Sequence, residues 1–280
     1  MFESQKIDNN MAIGFVVYHP TPIFIERLDT ILRYGYDVYL FDNTPYLSEV
    51  RDRLRTYKNA IYFTAGKNLG LGIGMSVICS QAFYNHKRSI IIFDQDTIFI
   101  DKTLSFIEYV CKNNNWEILD KYIAINFTSK NNSNKFKEEY ELVDMIINSG
   151  SMFNLEKLKN IGWFNEKYFV DGVDYDFCLT AKIKGYNIAR YFSTPGIDHE
   201  TEQGNKSYTV FGKKYLMRKY NFNRIYDVIT SYLKIASRSL FYGEYLYFTN
   251  LVSFFVYYII VQCYVRIYEL YSKLFYKLEN

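Results

Sequence analysis

Cysteine is scarce in this 280-residue chain, with four residues at 79, 111, 178 and 263. None forms a C-x-x-C pair, which removes the paired-thiol reading. Each lies among apolar neighbours, so buried free thiols in a reducing compartment are expected. Excess charge is also lacking. The formal net charge is only +3, which excludes a dedicated nucleic-acid binder. Met1 to Asn10 is polar and has no apolar signal-peptide core, so the folded body is expected in the cytoplasm. A dinucleotide fingerprint is missing too. Gly70 and Gly72 would need a third glycine at position 75, which is Met75, and the turn follows the third strand-like run, not the first. Aromatics, by contrast, are plentiful at 19%, with 29 Tyr and 23 Phe spread along the chain. Such spread reads as compositional bias.

The length suits one large α/β domain with an appendage, or two small domains, and is ample for a core. Apolar runs at Ala12–Tyr18, Asp37–Phe41, Ala60–Thr64 and Ser89–Phe93 read as strands. Helical spacing at Ile23–Tyr34, Leu47–Tyr57 and Met75–Tyr84 falls between them. That alternation predicts βαβ units and a mostly parallel sheet. Further on, Leu104–Asn113 reads as a helix, Tyr122–Phe127 as a strand and Thr128–Tyr140 as a polar surface loop. Leu155–Ile161 and Phe177–Ile183 read as helices and Asn187–Phe192 as a strand.

The chemistry-bearing stretch is Ser89-Ile90-Ile91-Ile92-Phe93-Asp94-Gln95-Asp96. It predicts a strand buried on both faces that stops at two carboxylates. In open α/β sheets ligands bind outside the carboxyl ends of strands. Two aspartates at i and i+2 there can share one hard cation, which prefers carboxylate oxygens. A plain polar loop reads the same way. A second acidic cluster comes at Asp171, Asp174 and Asp176. Carboxylates at a helix start favour the helix dipole, but three in six residues exceed what a cap needs. The Gly66–Gly74 turn either lets backbone approach a ligand closely or is ordinary turn chemistry.

These pieces, taken in order, resemble the family 2 inverting glycosyltransferases of the GT-A fold, and within them the bacterial rhamnosyltransferase-like branch. The resemblance rests on Val17-Tyr18-His19-Pro20, Phe41-Asp42-Asn43-Thr44, Asn68-Leu69-Gly70, Phe93-Asp94-Gln95-Asp96, Ser149-Gly150, and Ile161 through Glu166 running on to Asp171, Asp174, Asp176 and Gly185-Tyr186. It covers roughly residues 12 to 200. It implies an α/β GT-A sheet flanked by helices, carrying a nucleotide-sugar donor site. Asp42 lies where the family contacts the donor's nucleobase. Asp94 and Asp96 lie at its Asp-x-Asp, which reaches the ribose and holds Mn²⁺ or Mg²⁺ on the diphosphate. His199 lies where some members add a metal ligand. Asp174 lies at the catalytic base, with Asp171 and Asp176 in reserve. Tyr18, His19, Asn68, Gly70, Gln95, Ser149 and Gly150 complete the implied donor site. The branch's favoured donor is dTDP-L-rhamnose, and the expected acceptor is a saccharide or lipid-linked saccharide of a growing cell-surface polysaccharide. A UDP-hexose or UDP-galactofuranose donor, or a non-catalytic nucleotide-sugar binder, stay open. Ser76, Thr180 and Lys219-Tyr220 depart from the family's usual Asn, Arg and Arg-Asn. Inversion needs no covalent intermediate, so no nucleophilic Ser, Cys or Glu is required.

Residues 213–280 are expected to form a separate helical region after a catalytic domain of residues 1–212. The tail carries ten Lys/Arg and four Asp/Glu, a net of +6, which leaves −3 for the rest. Tyr245 to Val265 is uncharged, long enough to span a bilayer but interrupted by Thr249, Asn250, Ser253 and Gln262 and rich in Tyr. Tyr prefers the membrane interface. Seven basic residues precede it, from Lys213 to Arg238. The reading is helices lying on the inner leaflet, which places the protein on the cytoplasmic face of the cell membrane; spanning, homo-oligomerisation and packing on the first domain remain alternatives.

Overall fold

The computed structural model describes residues 10–46, 49–54, 56–99, 103–113, 116–128, 140–192, 194–199, 206–210 and 213–278. Most of the polar stretch from 128 to 140 read as a surface loop lies outside them. The chain divides into two compact units, 1–198 and 199–280.

The first unit is built on strands β1 (Met11–Val17), β2 (Asp37–Asp42), β3 (Ala60–Thr64), β4 (Ser89–Asp94), β6 (Ala124–Asn126), β7 (Tyr140–Leu142), β8 (Ser151–Asn154) and β9 (Ile188–Tyr191), arranged β3-β2-β1-β4-β8-β6-β9-β7. The first four are mutually parallel. β8, absent from the sequence reading, enters antiparallel between β4 and β6. Short β5 (Thr97–Phe99) pairs with β10 (Ile197–His199) outside this sheet.

Helices cover both faces, as a sheet of buried strands requires. On one face lie α1 (Pro22–Arg33), α2 (Glu49–Leu54), α4 (Thr103–Asn113) and α5 (Glu117–Lys121). Their Phe24, Leu28, Leu54, Ile107 and Leu119 pack on Phe15, Leu40, Ile91 and Phe93. Thr21 caps α1 by accepting from the Phe24 amide, and Pro22 supplies a first residue already at helical φ. On the other face lie α3 (Leu71–Tyr84), α6 (Leu155–Asn160) and α7 (Val173–Ile183). Phe153, Phe164 and Phe177 form an aromatic cluster there, with centroids 5.1 to 5.4 Å apart.

The second unit starts with a hairpin, β11 (Lys206–Val210) and β12 (Lys213–Met217), followed by α8 (Phe222–Phe241) and α9 (Tyr245–Leu278). The sequence reading took residues 213 onward as helical. Residues 213–217 are instead strand, paired from Lys206↔Met217 to Val210↔Lys213. Three of the four cysteines are buried as expected, but Cys263 is exposed on α9.

Candidate active site

Register brings the key strand ends together. Val16 pairs with Asp94, Val17 with Asp42, and Asp42 with Thr64. The loops leaving these strands, Tyr18-His19, Asn43-Thr44, the glycine turn and Gln95-Asp96, therefore emerge along one edge of the sheet. That edge is where open α/β sheets bind ligands.

The acidic loop is held from two sides. Gln95 brackets the backbone of Tyr18, accepting from its amide at 2.8 Å and donating to its carbonyl at 3.2 Å. Ser149, buried at the turn before β8, accepts from the Asp94 amide at 3.2 Å and shares a hydrogen bond with Thr97 at 3.1 Å. The Gly150 amide donates to Ile92, and φ is +68° at Gly150, a conformation that favours glycine. The antiparallel entry of β8 thus places Ser149 and Gly150 beside the end of β4. β10 carries His199 through its pairing with β5. One ligand atom each from Asp94, Asp96 and His199 lie within 4.8 Å of one another; Asp94 is exposed and the other two half-buried. Two carboxylates and an imidazole form a donor set that could hold a divalent cation.

Asp42 is fully buried. It accepts from the Thr44 amide at 2.8 Å and from the Tyr62 hydroxyl at 3.0 Å, so its rotamer is fixed on both oxygens. Burial and the Asp42 charge push the Tyr62 hydroxyl far above its usual pKa. Thr44 also accepts from the His19 amide at 2.9 Å, holding His19 in a left-handed conformation with φ 48°. The rings of Tyr18 and His19 meet edge to face at 4.3 Å, both residues exposed.

The glycine turn packs on protein. Asn43 accepts from the Leu69 amide and donates to the Gly70 carbonyl, and Asn68 accepts from the Gly70 amide. A Cβ on Gly70 would lie 2.6 Å from the Phe169 carbonyl, and one on Gly72 2.6 Å from that of Asn165. These glycines allow backbone-to-backbone contact with the Asn165–Phe169 loop.

That loop leads to the second acidic cluster. Asp174 and Asp176 stand in the first turn of α7, after Gly172 in the left-handed conformation. Asp176 is buried, and accepts from Asn165 and from the Tyr168 hydroxyl, both at 3.1 Å. Asp174 is half-buried and accepts from the Tyr175 amide at 2.9 Å. Loss of hydration raises its carboxyl to about 6, opposed by backbone amides and assisted by the charges of Asp171 and Asp94. Asp171 is half-buried.

Three supporting residues escaped the sequence reading as site elements: Asn43, Tyr62 and Thr97. Asn43 stood inside a motif, but its reach to the glycine turn depends on the β2–β3 register. Tyr62 and Thr97 carried no signal beyond ordinary strand composition.

No protein-family model matches the chain, and no curated protein sequence matches it. Among solved structures it is similar to GalNAc-T7 with UDP, GalNAc and Mn²⁺, with a TM-score of 0.53 and 11% identity over 68% of this chain and 43% of that one. It is also similar to S. aureus TarS, with a TM-score of 0.49 and 14% identity over 67% of this chain and 36% of that one. The chain therefore spans less than half the length of either protein. The mixed, mostly parallel sheet with helices on both faces has the GT-A fold.

Proposed function

We propose that the chain is a divalent-cation-dependent glycosyltransferase, moving a sugar from a nucleoside diphosphate donor to an acceptor hydroxyl with inversion at the anomeric carbon. The observation that carries this reading is the convergence of Asp94, Asp96 and His199 at the end of β4. The neighbour solved with UDP, GalNAc and Mn²⁺ supports a nucleotide-sugar donor and a divalent cation.

Asp94, Asp96 and His199 would hold the cation. When bound it supplies Lewis-acid stabilisation to the departing diphosphate. Gln95 and Ser149 keep the acidic loop in place through Tyr18 and the Asp94 amide. Asp42, fully buried and bonded to Thr44 and Tyr62, would act on the nucleoside end of the donor through the loop it holds. Asp174 takes the proton from the acceptor hydroxyl as it attacks. A carboxyl raised to about 6 is ionised at neutral pH yet more basic than an ordinary aspartate, which suits a general base. Asp176 accepts two side-chain hydrogen bonds and holds the helix start to the Asn165 loop.

The first donor to try is dTDP-L-rhamnose, and the acceptor a saccharide or lipid-linked saccharide. The test is a panel of dTDP-rhamnose, UDP-hexoses and UDP-galactofuranose incubated with Mn²⁺ or Mg²⁺, scoring slow hydrolysis. Cation-dependent release of one nucleoside diphosphate above the others is expected. No release from any donor, together with no cation-dependent binding of dTDP or UDP by calorimetry, would overturn the reading.

A further inference from the structure

The second unit carries large apolar side chains on its outside as well as in its seam. In α8, Val228, Ser231, Ile235 and Ser239 are buried. The opposite side, by 3.6-residue spacing, exposes Phe222 at 78%, Tyr226 at 71%, Leu233 at 59% and Leu240 at 44%. α9 repeats the pattern. It buries Tyr247, Leu251, Gln262 and Val265, and exposes Leu246, Tyr257, Ile260 and Ile267. The two helices are antiparallel, with Tyr232 against Phe255 near their middles and Tyr220 against Tyr258 further along. Besides Ser231 and Ser239 the seam holds Val228, Ile235, Tyr247, Leu251 and Val265, so apolar groups fill the seam and also cover the outside. Water disfavours a large apolar face left outside, and such a face marks a surface that meets lipid or protein.

Tyr245–Ser272 is long and apolar enough to cross a bilayer, but its second half is tied down by polar groups. Gln262 donates to the Arg218 carbonyl at 2.9 Å and accepts from the Tyr220 amide at 3.1 Å. Arg266 donates to the Gln262 side chain and lies 5.1 Å over the Phe222 ring. Glu269 pairs with Lys219. Tyr208 of β11 packs against Tyr264 and Tyr268. These contacts fasten the β11–β12 hairpin, with exposed Lys206, Lys213 and Lys214, to the same stretch of helix. A crossing would draw those lysines and open strand edges into hydrocarbon, where neither is tolerated.

We propose that the α8–α9 hairpin is a docking surface for an anionic lipid bilayer, lying in the interface plane without crossing it. The exposed basic residues Lys213, Lys214, Arg218, Lys219 and Lys234 complement anionic headgroups. A second copy of the chain would bring the same basic charge against itself. The apolar side chains supply a contribution that salt does not screen. This inference stands apart from sugar transfer, and its test needs no donor.

Cys263 is exposed while the other three cysteines are buried, so the full chain carries its own labelling site on α9. An environment-sensitive fluorophore at Cys263 is followed as the protein is mixed with phosphatidylglycerol–phosphatidylcholine vesicles or with phosphatidylcholine vesicles. The protein should float with the anionic vesicles, and severalfold less with the neutral ones or at high salt. The label should shift to the blue, a headgroup-level quencher should act more strongly than one at the bilayer centre, and a C-terminal tag should stay open to protease. Stronger quenching from the centre with a protected tag would establish a spanning helix and overturn the proposal. Failure to float at low salt would also overturn it, and a doubled mass in sedimentation would then assign the surface to a second copy.

Discussion

Asp174 and Asp176 stand two residues apart on the first turn of α7, with the same charge and the same helix dipole, yet their surroundings differ. Asp176 is buried and accepts hydrogen bonds from Asn165 and Tyr168. Asp174 faces partly outward, with Asp171 and Asp94 near enough to raise its carboxyl further. One acid is committed to holding a loop, while the other is kept more basic than an ordinary aspartate and partly accessible. The difference shows how one helix start can satisfy a structural and a chemical demand together.

Exchanging the acids one at a time tests that division. Asp174→Asn should lower the transfer rate by about 10²–10⁴-fold, the range of general-base catalysis, while donor affinity by calorimetry stays near parental. Near-parental turnover would move the base to Asp171. Asp96→Ala should abolish the Mn²⁺-dependent part of nucleoside diphosphate binding, a loss exceeding the roughly 10–100-fold typical of outer-shell partners. Equal binding with and without the substitution would remove Asp96 from the cation site. Asp176→Asn should act on folding, costing about 1–3 kcal/mol as buried donors lose an acceptor. Thermal unfolding would show the loss.

A subtler contrast appears with pH. Asp174 must be ionised to accept a proton, so the rate should climb as pH rises through about 6 and then level. A cation bound near Asp94 would favour the ionised form and move that limb lower. Asp171→Asn should also move it lower by removing a like charge. The folding consequence has its own sign. Asp174 binds its proton more tightly folded than unfolded, so the stabilisation present below its ordinary pKa of 3.8 is lost as pH rises through about 6. Asp174→Asn should therefore be more stable than the parent at pH 8, and a melting series across pH checks it.

Most of the parallel half of the sheet was legible because β1, β2 and β4 are almost wholly buried and read as apolar runs, Ile90–Phe93 most clearly, while half-buried β3 sits at the edge. Short β8 was not, since four residues between a turn and a helix carry no period. Yet it places Ser149 under Asp94. The β11–β12 hairpin was hidden among basic residues that suited the helices on either side. Asp94 and Asp96 were visible as a pair at a strand end. His199 joined them only through resemblance, because more than a hundred residues separate it from them in sequence. The hydrogen bonds of Tyr62 and Thr97 depend on loop geometry and registers that no local pattern encodes.

The backbone contact between the glycine turn and the Asn165–Phe169 loop has a mechanical consequence. At Gly72 a methyl group would meet the carbonyl of Asn165 at 2.6 Å and that of Tyr168 at 2.9 Å, and neither can swing aside as a side chain would. The first turn of α3 therefore serves as a gauge block for α7. An added atom at position 72 would be transmitted through Asn165 and Tyr168 to the Asp176 they grip, and so to the neighbouring Asp174. The position of the proposed base is set by a thickness fixed a hundred residues earlier, and position 72 has room for hydrogen alone.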